Sequence, residues 1–344
     1  MDWESRRRPV DSILETVGMT PLVRLHRVVE HLSATVFGKL EYFNPTGSVK
    51  DRILPFMVEE AERRGELRPG MVIVEGTSGN TGIATAMVGA AKGYKVIIVM
   101  PEGMSRERQK TIQAYGAELV LTPGCGSDVD LVLDKVQELR EAYGDQMWAV
   151  SQFTNMDNFQ AHYRSTGPEI WEQTEGTIDA FVAAQGTGGT LTGVSTYIKE
   201  QNPEVLSFAV EPAECAILAG RSWGSHKIEG IGDGFIPEML DLRQVDGVVT
   251  VSSGEAIEMA KRLAREEGIF CGISSGCNVV ACVKLARRYP TLRTIVTMLN
   301  DNGLRYLSTE LGGEHREVEV LKRPHVVRLE DAEKLARRPL VVID

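Results

Sequence analysis

Lys50 stands in the string Asn44-Pro45-Thr46-Gly47-Ser48-Val49-Lys50-Asp51-Arg52, and about one βα unit later comes the turn Thr77-Ser78-Gly79-Asn80-Thr81-Gly82. A lysine amine forms a Schiff base with an aldehyde cofactor, and a loop of hydroxyls, an amide and backbone N–H groups can grip a carboxylate. A third loop, Gln185-Gly186-Thr187-Gly188-Gly189-Thr190-Leu191-Thr192-Gly193, follows the apolar run from Ala180 to Ala184. A strand feeding a helix N-terminus there presents N–H donors to a phosphate. The set points to pyridoxal 5'-phosphate (PLP).

Each motif also has a plainer reading. A single loop lysine is usually a solvated surface residue, Asn44 to Gly47 is a turn on conformational grounds alone, and Thr77 to Gly82 is a competent helix N-cap. The third loop invites a dinucleotide, but a GxGxxG fingerprint starting at Gly186 needs a third glycine where Leu191 stands. A phosphate monoester needs less: one nest and a helix N-terminus, for which Gly186, Thr187, Gly188, Gly189 and Thr190 supply backbone donors and two hydroxyls.

Parallel α/β architecture is what must position these loops. Near-continuous apolar runs, Val72 to Val74, Val96 to Met100, Leu119 to Leu121, Ala180 to Ala184, Phe208 to Val210 and Ile295 to Leu299, lack polar alternation and so require cover on both faces. Intervening segments such as Gly82 to Lys92 and Ser105 to Tyr115 have the length and spacing of crossover helices. No Pro/Gly/Ser-rich linker and no internal repeat divides the chain.

Composition excludes more than it proposes. At 344 residues, 42% apolar and 25% charged, the chain is ordinary globular protein with room for two lobes. A formal charge of -10 and no basic run longer than Arg6-Arg7-Arg8 disfavour nucleic acid. No apolar stretch approaches the roughly 20 residues of a membrane span, so a cytoplasmic location and no membrane contact are expected. Five scattered cysteines, Cys125, Cys215, Cys271, Cys277 and Cys282, include no CxxC pair, so reduced thiols and no metal are expected.

These loops, with Glu229-Gly230-Ile231-Gly232-Asp233-Gly234-Phe235-Ile236-Pro237 and Gly272-Ile273-Ser274-Ser275-Gly276, resemble the cysteine synthase and cystathionine β-synthase family of fold-type-II PLP enzymes. The similarity runs in order from Gly18-Met19-Thr20-Pro21-Leu22 to Arg305-Tyr306-Leu307-Ser308-Thr309. It implies an α/β fold of two lobes, each a mostly parallel twisted sheet flanked by helices. A small mobile lobe of residues 44–152 is inserted into a large PLP-binding lobe of 1–43 and 153–320, and a C-terminal extension, 321–344, follows.

By the same resemblance Lys50 carries the internal aldimine and, once displaced by substrate, removes the α-proton. Thr77, Ser78, Asn80, Thr81 and Gln152 hold the substrate carboxylate, and Asn80 also reaches the cofactor's ring oxygen. Gly186, Thr187, Gly188, Gly189 and Thr190 form the phosphate cup, while Ser274 hydrogen-bonds the pyridine nitrogen. A neutral hydroxyl there favours β-elimination through an aminoacrylate over transamination.

The implied reaction is β-replacement on an activated L-serine, O-acetyl-L-serine first, with sulfide to give L-cysteine. A homodimer and a possible serine acetyltransferase partner follow from the family alone. Met104 to Arg108, Thr166 to Trp171 and Gly232 to Phe235 look like cysteine synthase, whereas Ala161-His162-Tyr163 and the Asn44 to Arg52 string are equally at home in cystathionine β-synthase. The β-synthases tend to carry tyrosine where Asp233 stands. Cys215 replaces a customary serine, and Arg221 in the short loop from Glu214 to Lys227 could meet the phosphate of O-phosphoserine. Another alternative is a non-catalytic PLP-fold partner, against which intact Lys50, Asn80 and Ser274 argue; dehydratase or threonine synthase activity is weaker, because the lysine string resembles neither closely.

Overall fold

A computed structural model describes residues 8–77, 79–124, 129–313, 329–338 and 340–344. Ser78, Cys125 and the first part of the C-terminal extension lie outside the described residues.

Eleven strands are described: β1 (Leu22–Arg24), β2 (Thr35–Leu40), β3 (Val72–Gly76), β4 (Lys95–Pro101), β5 (Glu118–Thr122), β6 (Met147–Ala149), β7 (Ala180–Ala184), β8 (Leu206–Pro212), β9 (Gly247–Val251), β10 (Thr294–Leu299) and β11 (Val341–Ile343). They form a seven-stranded sheet in the order β1-β2-β10-β7-β8-β9-β11 and a four-stranded sheet in the order β5-β4-β3-β6. Every pairing is parallel except β1 with β2. All six apolar runs identified in the sequence lie in strands, because a strand buried on both faces carries no polar alternation to obscure it.

Each sheet separates two apolar layers. In the large sheet Val182, Phe208, Val210 and Ile295 face one cluster together with α8 (Ser253–Arg262) and α9 (Ile273–Arg288). Their neighbours Phe181, Ala183, Ala209 and Val296 face the other, under α7 (Gly189–Gln201). The small sheet sends Ile73, Ile98 and Met100 toward α1 (Ile53–Arg64) and α2 (Asn80–Lys92), and Val74 and Ile97 to its opposite face. Burial of this kind contributes roughly 25 cal/mol per Å² of apolar surface and fixes the angle at which each βα loop leaves its sheet.

The end of the chain joins the large sheet. β11 pairs with β9, and α10 (Leu329–Arg337) sets Leu335 against the α7-side cluster.

Candidate active site

The loop after β7 turns through Gly186 and Gly188 into the N-terminus of α7. A Cβ on Gly186 would lie 2.6 Å from the Gly230 carbonyl oxygen, and one on Gly189 would lie 2.2 Å from Asn158 Oδ1, so only glycine leaves this cradle open. Gly188 has φ +84, a left-handed conformation that glycine alone adopts without strain. The N–H groups of Gly186, Thr187, Gly188 and Thr190 have no acceptor among the described residues. Four uncommitted donors at a helix start, where the helix dipole is positive, fit a phosphate. Thr187 is oriented by the Asn158 amide at 3.1 Å, and Thr190 by His162 Nε2 at 3.1 Å. Burial, helped by Arg52 and Lys50, keeps the His162 pKa well below its ordinary value, so the ring is neutral.

Lys50 lies in the 3-10 turn Val49–Arg52, and its own N–H donates to the Ser48 hydroxyl. Two residues on, Arg52 donates to Glu41 at 2.5 Å and to Glu169 at 2.7 Å, which ties the turn to the segment after β2 and to the helix that carries Glu169. The Lys50 amine has no hydrogen-bond or ion-pair partner among the described residues. Burial lowers its pKa, while Asp301 and Asp233 pull the other way. An uncommitted amine whose pKa is lowered by burial is what Schiff-base chemistry needs.

Opposite Lys50 stands the start of α2. Thr77 Oγ1 accepts from the Gly79 N–H at 3.1 Å, and Thr81 Oγ1 donates to Gln152 Oε1 at 2.6 Å. The Gln152 segment is held in turn by Glu75, which accepts the Ser151 N–H at 3.0 Å. Burial raises the Glu75 pKa to about 8. Asn80 donates to Asp301 Oδ2 at 2.6 Å and accepts from Arg305 Nη1 at 2.6 Å. A carboxylate only accepts and a guanidinium only donates, so the Asn80 amide has one orientation and one N–H left to offer. On the far wall Ser274, in the first turn of α9, accepts from the Asn300 amide at 3.1 Å.

Lys50, Thr77, Asn80, Thr81, Gln152, Gly186, Thr187, Gly188, Thr190 and Ser274 therefore line one cleft between the two sheets. Gly189 packs behind it against Asn158. Arg221 does not reach this cleft: it donates to the carboxylate of Asp344 at 2.6 Å, at the chain terminus.

Sequence reasoning missed three residues. Arg108 is buried, ion-paired with Glu229, and stacked over the Tyr306 ring at 4.5 Å. Its Cδ would lie 2.1 Å from a Cβ on Gly79, so Gly79 makes room for this long-range contact. Asp301 takes both Asn80 and the Tyr306 hydroxyl, at 2.6 and 2.8 Å. Arg305 also donates to the Thr46 carbonyl, tying the Lys50 loop to Asn80. The Arg305-Tyr306 pair was visible as a motif, but spacing alone does not say which loops it joins.

The family described as pyridoxal-phosphate dependent enzyme matches residues 13–301. This chain belongs to that family. A cysteine synthase of Staphylococcus aureus is 48% identical over 306 residues, 89% of this chain and 98% of the relative. The crystal structure of cysteine synthase from Entamoeba histolytica superposes with a TM-score of 0.86 at 40% identity, covering 97% of both chains. That of the O-acetylserine dependent cystathionine β-synthase from Helicobacter pylori gives 0.83 at 35% identity, covering 88% of this chain and 98% of the other. Fold-type-II architecture and PLP as the cofactor follow. The free N–H cradle, the unpartnered Lys50 amine and the Ser274 hydroxyl fit that group. No helix among the described residues is long and apolar enough to cross a membrane.

Proposed function

We propose that the chain is a cysteine synthase that replaces the acetoxy group of O-acetyl-L-serine with sulfide, giving L-cysteine. The observation that carries this reading is the uncommitted Lys50 amine facing the Thr77, Asn80, Thr81 and Gln152 loop across one cleft. The relatives named cysteine synthase support it.

In this reading bound PLP supplies the electron sink for the pair released at the substrate's α-carbon. Gly186 to Thr190 hold the phosphate through N–H groups and two hydroxyls, and Ser274 faces the ring nitrogen as a neutral partner. Thr77, Ser78, Asn80, Thr81 and Gln152 hold the α-carboxylate, which aims the α-C–H bond at Lys50. Lys50 takes that proton and returns it after sulfur has added at the β-carbon. A small lobe of residues 44–152 closes on the rest of the chain, 1–43 and 153–320 with the 321–344 extension, to exclude water. The protein works as a cytoplasmic homodimer, with serine acetyltransferase as a candidate partner.

A second reading, with homocysteine as acceptor, is favoured by the likeness to the Helicobacter O-acetylserine dependent enzyme. Titrating the purified holoenzyme with O-acetylserine, then with sulfide or homocysteine, separates the two. O-acetylserine should shift the visible absorbance and sulfide should restore it with L-cysteine as product. Restoration by homocysteine alone makes the second reading correct, and absence of visible absorbance defeats both.

A further inference from the structure

The chain between β8 and β9, from Ala213 to Asp246, forms one wall of the cleft through Gly230, Ile231 and Asp233. It holds one short 3-10 turn, Leu242–Gln244, and no longer element. A connection without a helix or strand ladder is placed by the contacts its backbone makes to other elements. Just past the residues that line the cleft, α10 grips the Ile236 backbone on both sides. The Ile236 N–H donates to Asp331 Oδ2 at 3.3 Å, and the Ile236 carbonyl accepts from Lys334 Nζ at 3.4 Å. Asp331 is buried, at 3% exposed, and its other oxygen lies 3.7 Å from Lys334 Nζ, so two residues one turn apart close on a single point of the connection.

The chain end is anchored well away from the cleft. β11 runs beside β9 with Val341 opposite Gly247, where a Cβ would lie 2.7 Å from the Val341 carbonyl oxygen. Arg338 donates to the Val245 carbonyl at 3.4 Å, and Leu335 packs on the apolar cluster that contains Ile236 and Leu240. Asp344 accepts from Arg221 and from Thr250, each at 2.6 Å. None of the described residues of α10 and β11 lines the cleft. Phe235, the neighbour of Ile236, carries the grip inward. Its ring centroid lies 5.4 Å from that of Phe153, which lines the cleft next to Gln152.

We infer that Asp331, with Lys334, is a positioning residue for the substrate pocket: α10 holds the Ile236 backbone and so sets the cleft wall from Gly230 to Phe235 and, through Phe153, the Gln152 end of the carboxylate site. This rests on the function proposed above. The effect falls on substrate more than on cofactor, because no hydrogen bond or ion pair among the described residues joins α10 to the Lys50 turn or to the Gly186 to Thr190 cradle. Asparagine at position 331 keeps an oxygen that accepts the Ile236 N–H, and alanine does not.

The test compares the holoenzyme with its D331A, D331N and R338A variants, with sulfide as acceptor. D331A should raise the KM for O-acetylserine at least about fivefold with kcat changed less than about twofold, and D331N should recover most of the loss. R338A loosens the chain end at Val245 without touching Ile236, and should leave KM within about twofold. Hydrogen exchange gives a readout that needs no turnover: amides of the 231–237 segment should exchange about tenfold faster in D331A than in D331N or the unmodified protein. Circular dichroism melts check that each variant is folded. K334A, which opens the carbonyl side of the grip, should move both readouts in the same direction and decides the matter if D331A does not fold. An unchanged KM or unchanged exchange in folded D331A, or equal changes in D331A and R338A, overturns the inference. No turnover of O-acetylserine by the unmodified holoenzyme would condemn the proposed function instead, while the exchange rates still decide whether Asp331 holds the wall.

Discussion

Lys39 and Lys50 are two buried lysines with opposite fates. Lys39, on β2, is wholly buried and donates to Thr20 O at 2.7 Å, Glu169 Oε2 at 2.6 Å and Gln173 Oε1 at 2.8 Å. An ammonium has three donors, so all of Lys39 is spent. Lys50 has none spent. Burial lowers both pKa values, but Glu169 works strongly against it at Lys39, whereas Lys50 has only Asp301 and Asp233 nearby. Asp301 gives its Oδ2 to Asn80 and Tyr306. The lesson is that burial alone does not make a lysine reactive; burial without hydrogen-bond partners on the amine does.

The comparison breaks most visibly if the two lysines are removed in turn. Lys50→Ala should lower β-replacement by about 10³-fold or more and abolish the visible cofactor absorbance, with little change in the thermal midpoint. Lys39→Ala should do the reverse. It leaves Glu169 and Gln173 short of a partner in a closed interior and should cost about 3–5 kcal/mol in denaturant unfolding. Comparable losses of stability for both variants would erase the distinction.

Titration sharpens the contrast next. Against burial, Arg52 and Lys39 hold the Glu169 carboxyl down to about 2. Its folded pKa is below its unfolded value of 4.5, so its contribution, about 3 kcal/mol, is present above pH 4.5 and is lost as pH falls toward 2. Glu75, beside the Gln152 segment, runs the other way. Burial raises it to about 8, so its contribution is present below pH 4.5 and is lost as pH rises toward 8, at no more than about 1.4 kcal/mol per pH unit. Glu75→Gln, which imitates the protonated acid, should flatten stability between pH 4.5 and 8 in urea unfolding curves. A slope equal to that of the unmodified protein would count against this assignment.

The smallest effect belongs to Arg305. Arg305→Ala frees the Asn80 amide to flip and loosens the Thr46 segment, and should lower kcat/KM about tenfold with the larger change in KM. If kcat/KM stays within twofold, the amide is held by Asp301 alone.

Much of this was legible in the chain. The Lys50 string, the Thr77 to Gly82 turn and the Gly186 to Gly193 loop were recognisable because each needs particular residue types in consecutive positions: small residues where backbone approaches a ligand, hydroxyls where N–H groups need caps. β7 and β10 were equally readable, since strands covered on both faces are unbroken apolar runs. Shorter strands were not. β6 and β1 have three residues each, so neither has the length for a periodic signal.

Charge partners were the least legible part. Arg221 looked free to meet a phosphate until the terminal Asp344, 123 residues away in sequence, was found beside it. Arg108 is 121 residues from Glu229, and Arg305 is 225 from Asn80. By itself the sequence determined the fold class and the cofactor and marked the loops that line the cleft, because those depend on local backbone chemistry. Tertiary structure alone decided which lysine is spent, which arginines join distant loops and which carboxylate is left open to the cleft. Hydrogen bonding and Coulomb attraction act through distance in space, and the sheets bring together groups that the chain keeps hundreds of residues apart.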